Sequence, residues 1–181
     1  MRKHRIIAYM LLAALLLGAC SKETISAPKG DPVFGTFVTT DMAGNPVTEQ
    51  VFSGHKLTMV NIWATFCSPC FGEMSDLGEL QAEYGSDLQI IGIVIDAADR
   101  NGNVLSNKKA EAKAIIEETN AEYLHILPSP SLNRAYLKNV KSVPETIFLD
   151  ENGNQVGQCY IGAKSKAEWN KIIRHLISTL P

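Results

Sequence analysis

Cys67 and Cys70 stand two residues apart in the run TMVNIWATFCSPCFGEM, which extends from Thr58 to Met74. Two thiols at this spacing can exchange with another disulfide, form a static staple, or supply part of a metal site. The β-forming apolar run Met59 to Trp63 predicts a buried strand before them. The amphipathic pattern after them predicts a helix from near Pro69 to about Gly85, with Pro69 tolerated in its first turn. A thiol at a helix N-terminus sits beside free backbone N–H groups and the positive end of the helix dipole. Such a site lowers a cysteine pKa from about 8.5 into the range of roughly 3.5–7.5. A static staple would need neither the aromatic collar around the pair nor Val143-Pro144. A structural zinc would need further Cys or His ligands at suitable spacing, and the sequence does not offer them.

The elements around the pair begin with an attachment device. Arg2, Lys3, His4 and Arg5 precede the apolar stretch Ile6 to Leu17, and Leu17-Gly18-Ala19 leads to Cys20. This is the layout of a secretory signal, shorter than the ~20 apolar residues of a comfortable membrane span. The small residues before Cys20 resemble the lipobox of bacterial lipoproteins, which implies cleavage before Cys20 and its lipidation. We expect residues 1–19 to be the signal, 20–33 the lipidated cysteine and a flexible tether, and 34–181 the folded domain. Removing the signal takes the net charge from −2 to −5. Clustered Lys and Arg of the kind that mark a nucleic-acid surface are missing.

Within the domain, Phe34 to Thr40, a turn at Asp41–Asn45 and Pro46-Val47 predict an N-terminal β-hairpin. Leu57 to Trp63 and Leu88 to Ile95 are apolar runs separated by the helix, which predicts a βαβ unit in a sheet covered on both faces. A helix is expected over Lys108–Asn120, with Ala112, Ile115, Ile116 and Thr119 on its apolar face. A short strand over Leu124–Leu127 and a small helix over Leu132–Leu137 follow. Glu145–Leu149 and Gln155–Gly162 predict a hairpin across the turn at Asp150–Asn154. A final helix, capped by Ser165, buries Trp169, Ile172, Ile173 and Leu176. The fold class is α/β, a central mixed sheet flanked by helices. His55 reads as loop polarity, and Cys159 as a small buried hydrophobe.

The run NIWATFCSPC over 61–70 and the run VPETIFLD over 143–150 resemble the TlpA/ResA-like (DsbE-like) branch of the thioredoxin superfamily. The resemblance extends from about Gly35 to the C-terminus and implies a thioredoxin-like fold. It also implies a membrane-tethered thiol–disulfide oxidoreductase outside the cytoplasm, probing exported protein disulfides and favouring their reduction. Cys67 would attack and Cys70 resolve. Pro144 matches the family's cis-proline, and Trp63, Phe66, Ser68, Pro69 and Val143 would surround the partner chain. Glu145 and Asp96 fall where related proteins place acidic groups near the pair, as candidate proton relays to Cys70. No bound cofactor or metal is implied. Clients such as apocytochrome c or a methionine sulfoxide reductase, and a membrane electron donor of the DsbD/CcdA type, are the implied partners. Phe66 departs from the family's usual Trp, and Ser68-Pro69 from its commoner inner pairs.

Two other functions are compatible with this scaffold and lack their signatures in the sequence. A thiol peroxidase shares this fold, but its signature places Pro and Thr upstream of the reactive cysteine, and only Thr65 is present. A metal-handling or binding protein on the same scaffold would use cysteines three residues apart plus a distant His.

Overall fold

A computed structural model describes residues 30–181. The signal, Cys20 and most of the expected tether lie outside the described residues. The Val33 N–H donates to the Gly153 carbonyl at 2.9 Å, and Pro32 lies near Gly153, so the chain is already held to the turn at Asp150–Asn154 at these residues.

The chain forms β1 (Val38–Thr40), β2 (Pro46–Thr48), β3 (Leu57–Trp63), α1 (Ser68–Tyr84), β4 (Leu88–Val94) and α2 (Ser106–Glu118). These are followed by β5 (Leu124–Ile126), α3 (Pro130–Ala135), β6 (Glu145–Leu149), β7 (Gln155–Ile161) and α4 (Lys166–Thr179). The main sheet has the order β5-β4-β3-β6-β7. β3 runs parallel to β4 and antiparallel to β6, so the sheet is mixed as expected. β1 and β2 form a separate antiparallel hairpin.

All seven residues of β3 are buried, which is why five of them are apolar; its polar members, Thr58 and Asn61, each have a hydrogen-bond partner. Leu57, Met59 and Trp63 pack with α1, α4 and Ala112 of α2 on one face. Val60 and Ile62 pack on the other face with Phe34, Phe37 and Phe52. The N-terminal segment is therefore the second cover of the sheet, helped by Leu132 of α3. α2 begins two residues earlier than expected and buries only Ala112, while Ile115 and Ile116 remain half-buried. The expected 132–137 helix is broken at Tyr136, where φ −139° and ψ −50° leave the helical region. Ser165 caps α4 with a full capping box to Glu168.

Candidate active site

Beyond Trp63 the chain turns through Ala64–Phe66, and the Cys67 N–H donates to the Ala64 carbonyl at 3.0 Å. Cys67 is the N-cap of α1, its Sγ accepting from the Cys70 N–H at 3.3 Å. Cys67 and Cys70 are joined by a disulfide, with Cα atoms 5.4 Å apart. Cys67 keeps 4% exposure whereas Cys70 has 0%, so an incoming sulfur can reach only the first. Phe66 stands 72% exposed beside it, and Ser68 and Pro69 are also exposed.

Ile62 pairs with Glu145 across β3 and β6, which carries Val143 and Pro144 alongside the end of β3. The Val143–Pro144 peptide is cis. Pro144 is buried and Val143 half-buried. The fold thus gathers Phe66, Cys67, Ser68, Pro69, Val143 and Pro144 at one end of the sheet.

Trp63 must be corrected as a partner-contacting residue. It is 0% exposed, packs edge-on against Phe71, and donates its indole N–H to His125 Nδ1 at 3.2 Å. Because indole can only donate, His125 Nδ1 must accept, so Nε2 carries the hydrogen toward the Ala121 carbonyl at 3.1 Å. Burial pulls His125 down to about 4, and it stays neutral. A Cβ at Gly92 would lie 2.3 Å from His125 Nδ1 and 3.0 Å from Trp63 Nε1, so this pair exists only because Gly92 has no side chain.

Asp96 binds Thr65, two residues before Cys67. Its carboxylate accepts from the Thr65 N–H at 3.0 Å and the Thr65 hydroxyl at 2.6 Å. The Lys108 ammonium donates to Thr65 Oγ1 at 2.8 Å and lies 3.8 Å from Asp96. This trio anchors the loop that leads into Phe66 and Cys67. Glu145 is buried at 8% exposure and accepts from the Tyr136 hydroxyl at 2.7 Å. Burial, then Glu145, push the Tyr136 phenol up, which keeps it a donor.

Cys159 is a second correction. It is exposed, because β7 is an edge strand and Tyr160, not Cys159, points inward against Phe148 and Trp169. Its sulfur lies 4.0 Å from the Tyr136 hydroxyl. Partial burial of the sulfur and the Glu145 charge push this thiol up, opposing thiolate formation.

Glu73 was missed. It sits one turn beyond Cys70 on the buried face of α1 and is 1% exposed. Its carboxylate accepts from Asn61 Nδ2 at 3.0 Å, the Lys164 N–H at 3.0 Å and Trp169 Nε1 at 2.9 Å. Asn61 Nδ2 also donates to Thr146 Oγ1 at 3.0 Å, so the network reaches the residue after Glu145. Burial pushes the Glu73 carboxyl above its usual range, against the pull of its three donors. The signal was an acid in phase with Cys70, Leu77 and Leu80, where an apolar residue is the default.

A family model described as Redoxin matches residues 28–169. The thioredoxin-like protein YneN of Bacillus subtilis is 26% identical over 148 residues, covering 82% of this chain and 80% of that protein. ResA, a thiol-disulfide oxidoreductase of Bacillus thuringiensis, is 29% identical over 110 residues, covering 55% of this chain and 61% of that protein. Among solved structures, a thioredoxin-family thiol:disulfide interchange protein of Chlorobium tepidum superposes with a TM-score of 0.64. It is 22% identical and covers 78% of this chain and 93% of its own. The exposed lipoprotein thioredoxin of Streptococcus pneumoniae gives 0.63 at 22% identity, over 78% of this chain and 100% of its own. The chain belongs to the Redoxin family, as a thiol–disulfide oxidoreductase of the thioredoxin superfamily with Cys67 and Cys70 as its cysteine pair.

Proposed function

We propose that this protein is a lipid-anchored reductase of exported protein disulfides, working outside the cytoplasm. The observation that carries the chemistry is the unequal access of the two sulfurs at the N-terminus of α1. In the reduced protein, the Cys67 thiolate attacks a client disulfide. The client S–S bond breaks, a Cys67–client disulfide forms, and one client thiolate leaves. Cys70, deprotonated, then attacks Cys67 Sγ, which expels the second client thiolate and closes the Cys67–Cys70 bond. The client gains two electrons and the protein loses two, to be restored by a membrane donor of the DsbD/CcdA type. Phe66, Ser68, Pro69, Val143 and Pro144 frame the client chain; Glu145 and Asp96 are the acids that relay the Cys70 proton away as it becomes nucleophilic. Apocytochrome c or a methionine sulfoxide reductase would be clients of suitable chemistry.

The anchoring half of the proposal rests on the N-terminal sequence: signal over 1–19, lipid on Cys20, a tether after it. The exposed lipoprotein named among the similar structures and a secreted Mycobacterium tuberculosis disulfide oxidoreductase, 18% identical with a TM-score of 0.64 over 81% of this chain and 100% of its own, support that setting. Among the described residues no helix is long and apolar enough to cross a membrane.

The test is the reduction potential of the full chain in defined thiol/disulfide buffers. We expect a value near or below about −270 mV, that of a reductant; a value near about −120 mV would reverse the assigned direction. Labelling cells with a radioactive fatty acid checks the anchor: the parent chain should take up label and Cys20→Ala should not, and equal labelling of the two would reject lipidation of Cys20.

A further inference from the structure

Residues 30–181 carry 12 Lys and Arg against 18 Asp and Glu. The distribution is uneven. From Tyr123 to Pro144 there is not one acid, yet Arg134, Lys138 and Lys141 fall in that stretch. Arg100 joins them from the loop after β4. A groove of about 610 Å³ lies between that loop and α3, and Arg100, Arg134 and Lys138 all line it. The three side chains are exposed, and among the described residues none of them is within 4.0 Å of a carboxylate in an ion pair. The acid that also lines the groove, Asp99, spends both carboxylate oxygens on the Asn101 N–H, the Asn103 N–H and Asn103 Nδ2.

The walls are tied together. Gly102 has φ +84°, and a Cβ there would come within 2.6 Å of Pro130 Cδ, so the loop packs directly on the start of α3. Asn133 Nδ2 donates to the Arg100 carbonyl at 3.4 Å. The groove also adjoins the redox pair through the chain. Ile95, on its wall, donates its N–H to the carbonyl of Trp63, the last residue before the turn to Cys67. Val140, on the other wall, is three residues ahead of Val143 and Pro144.

We infer that this groove receives an acidic segment of the client, flanking the disulfide that docks at Cys67. The inference rests on the exchange reading and deepens it by naming the client's charge. Three unpaired cations beside a site in an otherwise acidic domain repel basic chains and steer acidic ones toward this groove. Docking also explains why the cations come from separate elements held in fixed relation. A chain laid along the groove meets Arg134 and Lys138 from α3 and the turn after it, and Arg100 from the opposite wall.

The test uses the reduced full chain and three synthetic peptides of equal length, each with one intramolecular disulfide. The disulfide is flanked by glutamates, serines or lysines. The glutamate peptide should be reduced about tenfold faster than the serine peptide at low ionic strength, and the lysine peptide slowest. That advantage should shrink toward unity once salt brings the screening length to about 3 Å, near 1 M. In the variant Arg100→Glu, Arg134→Glu, Lys138→Glu the glutamate advantage should vanish while the serine peptide keeps its rate. The milder Arg134→Gln, Lys138→Gln pair should lose part of it. Binding of a labelled glutamate peptide with serines for its cysteines, read by anisotropy, tests the groove without exchange. Equal rates for the three peptides, together with anisotropy unchanged by the substitutions, would overturn the inference. A protein that reduces no peptide but binds the acidic one through these residues would instead overturn the exchange reading. Binding to anionic lipid vesicles through the same residues, with no preference among peptides, would assign the groove to a membrane surface and reject it as a client site.

Discussion

Two buried carboxylates flank the cysteine pair, and they are held in different ways. Glu73 lies under α1 with three donors from three separate elements, β3, the loop before α4 and α4 itself. Glu145 lies beyond Pro144 and has the Tyr136 hydroxyl as its donor at 2.7 Å. The first acid is part of the frame that fixes α1 against the sheet. The second opens β6, between β3 and β7, near an exposed thiol. A carboxylate shared among several elements contributes to the fold; one held by a single hydroxyl is free to respond to what docks beside it.

The largest break in that contrast is Glu73→Ala. It strands the Asn61 and Trp169 donors in the interior and leaves the half-buried Lys164 N–H unmet, and each unmet buried donor costs about 1–3 kcal/mol. Denaturant unfolding should show a loss of about 4 kcal/mol. Glu73→Gln, which keeps the volume, should fold with a much smaller loss, and a fall as large as that of the alanine variant would mean that the charge itself holds α1. Glu73 also has a pH signature. Its folded carboxyl is raised, so its contribution is present at low pH and is lost as pH rises through the folded pKa; the glutamine variant should lack that decline.

His125 gives the opposite sign. Its folded value is lowered to about 4, so the unfolded chain takes the proton first as pH falls below about 6.5. Stability should therefore fall by about 2 kcal/mol between pH 7 and pH 5 from this group alone, at 1.36 kcal/mol per unit. The difference between the protein and His125→Gln, measured by urea unfolding at the two pH values, isolates it. An identical slope in both would remove His125 from the account.

On the other flank, Tyr136→Phe keeps the ring against Phe34, 5.4 Å away between centroids, and deletes the one donor to Glu145. We expect a loss of about 1.5 kcal/mol, the lower end for a hydrogen bond to a charged group, and a shift in the pH profile of disulfide exchange. Loss of stability with no change in that profile would make Glu145 a structural acid like Glu73. The smallest effect belongs to Cys159→Ser. Its thiol is exposed and pushed away from the thiolate, so both unfolding midpoint and exchange rate should stay within about 0.5 kcal/mol of the parent. A larger change in rate would bring this cysteine into the redox cycle.

The strand, the cysteine pair and the helix that follows are legible locally, because periodicity and turn chemistry act over a few residues. The sequence placed β3 at Leu57–Trp63 and the α4 cap at Ser165, both as found. It also indicated Pro144 and Glu145, through a motif that carries its own context. The tertiary structure alone decided which acid is enclosed, since burial of Glu73 depends on Trp169, 96 residues away in the chain. It decided that Trp63 faces His125 rather than a client, which required Gly92 on the neighbouring strand to leave room. It put Cys159 on the exposed side of an edge strand, where alternation alone could not say which face was covered. Long-range contacts choose among side chains that look alike locally, and these three residues were settled there.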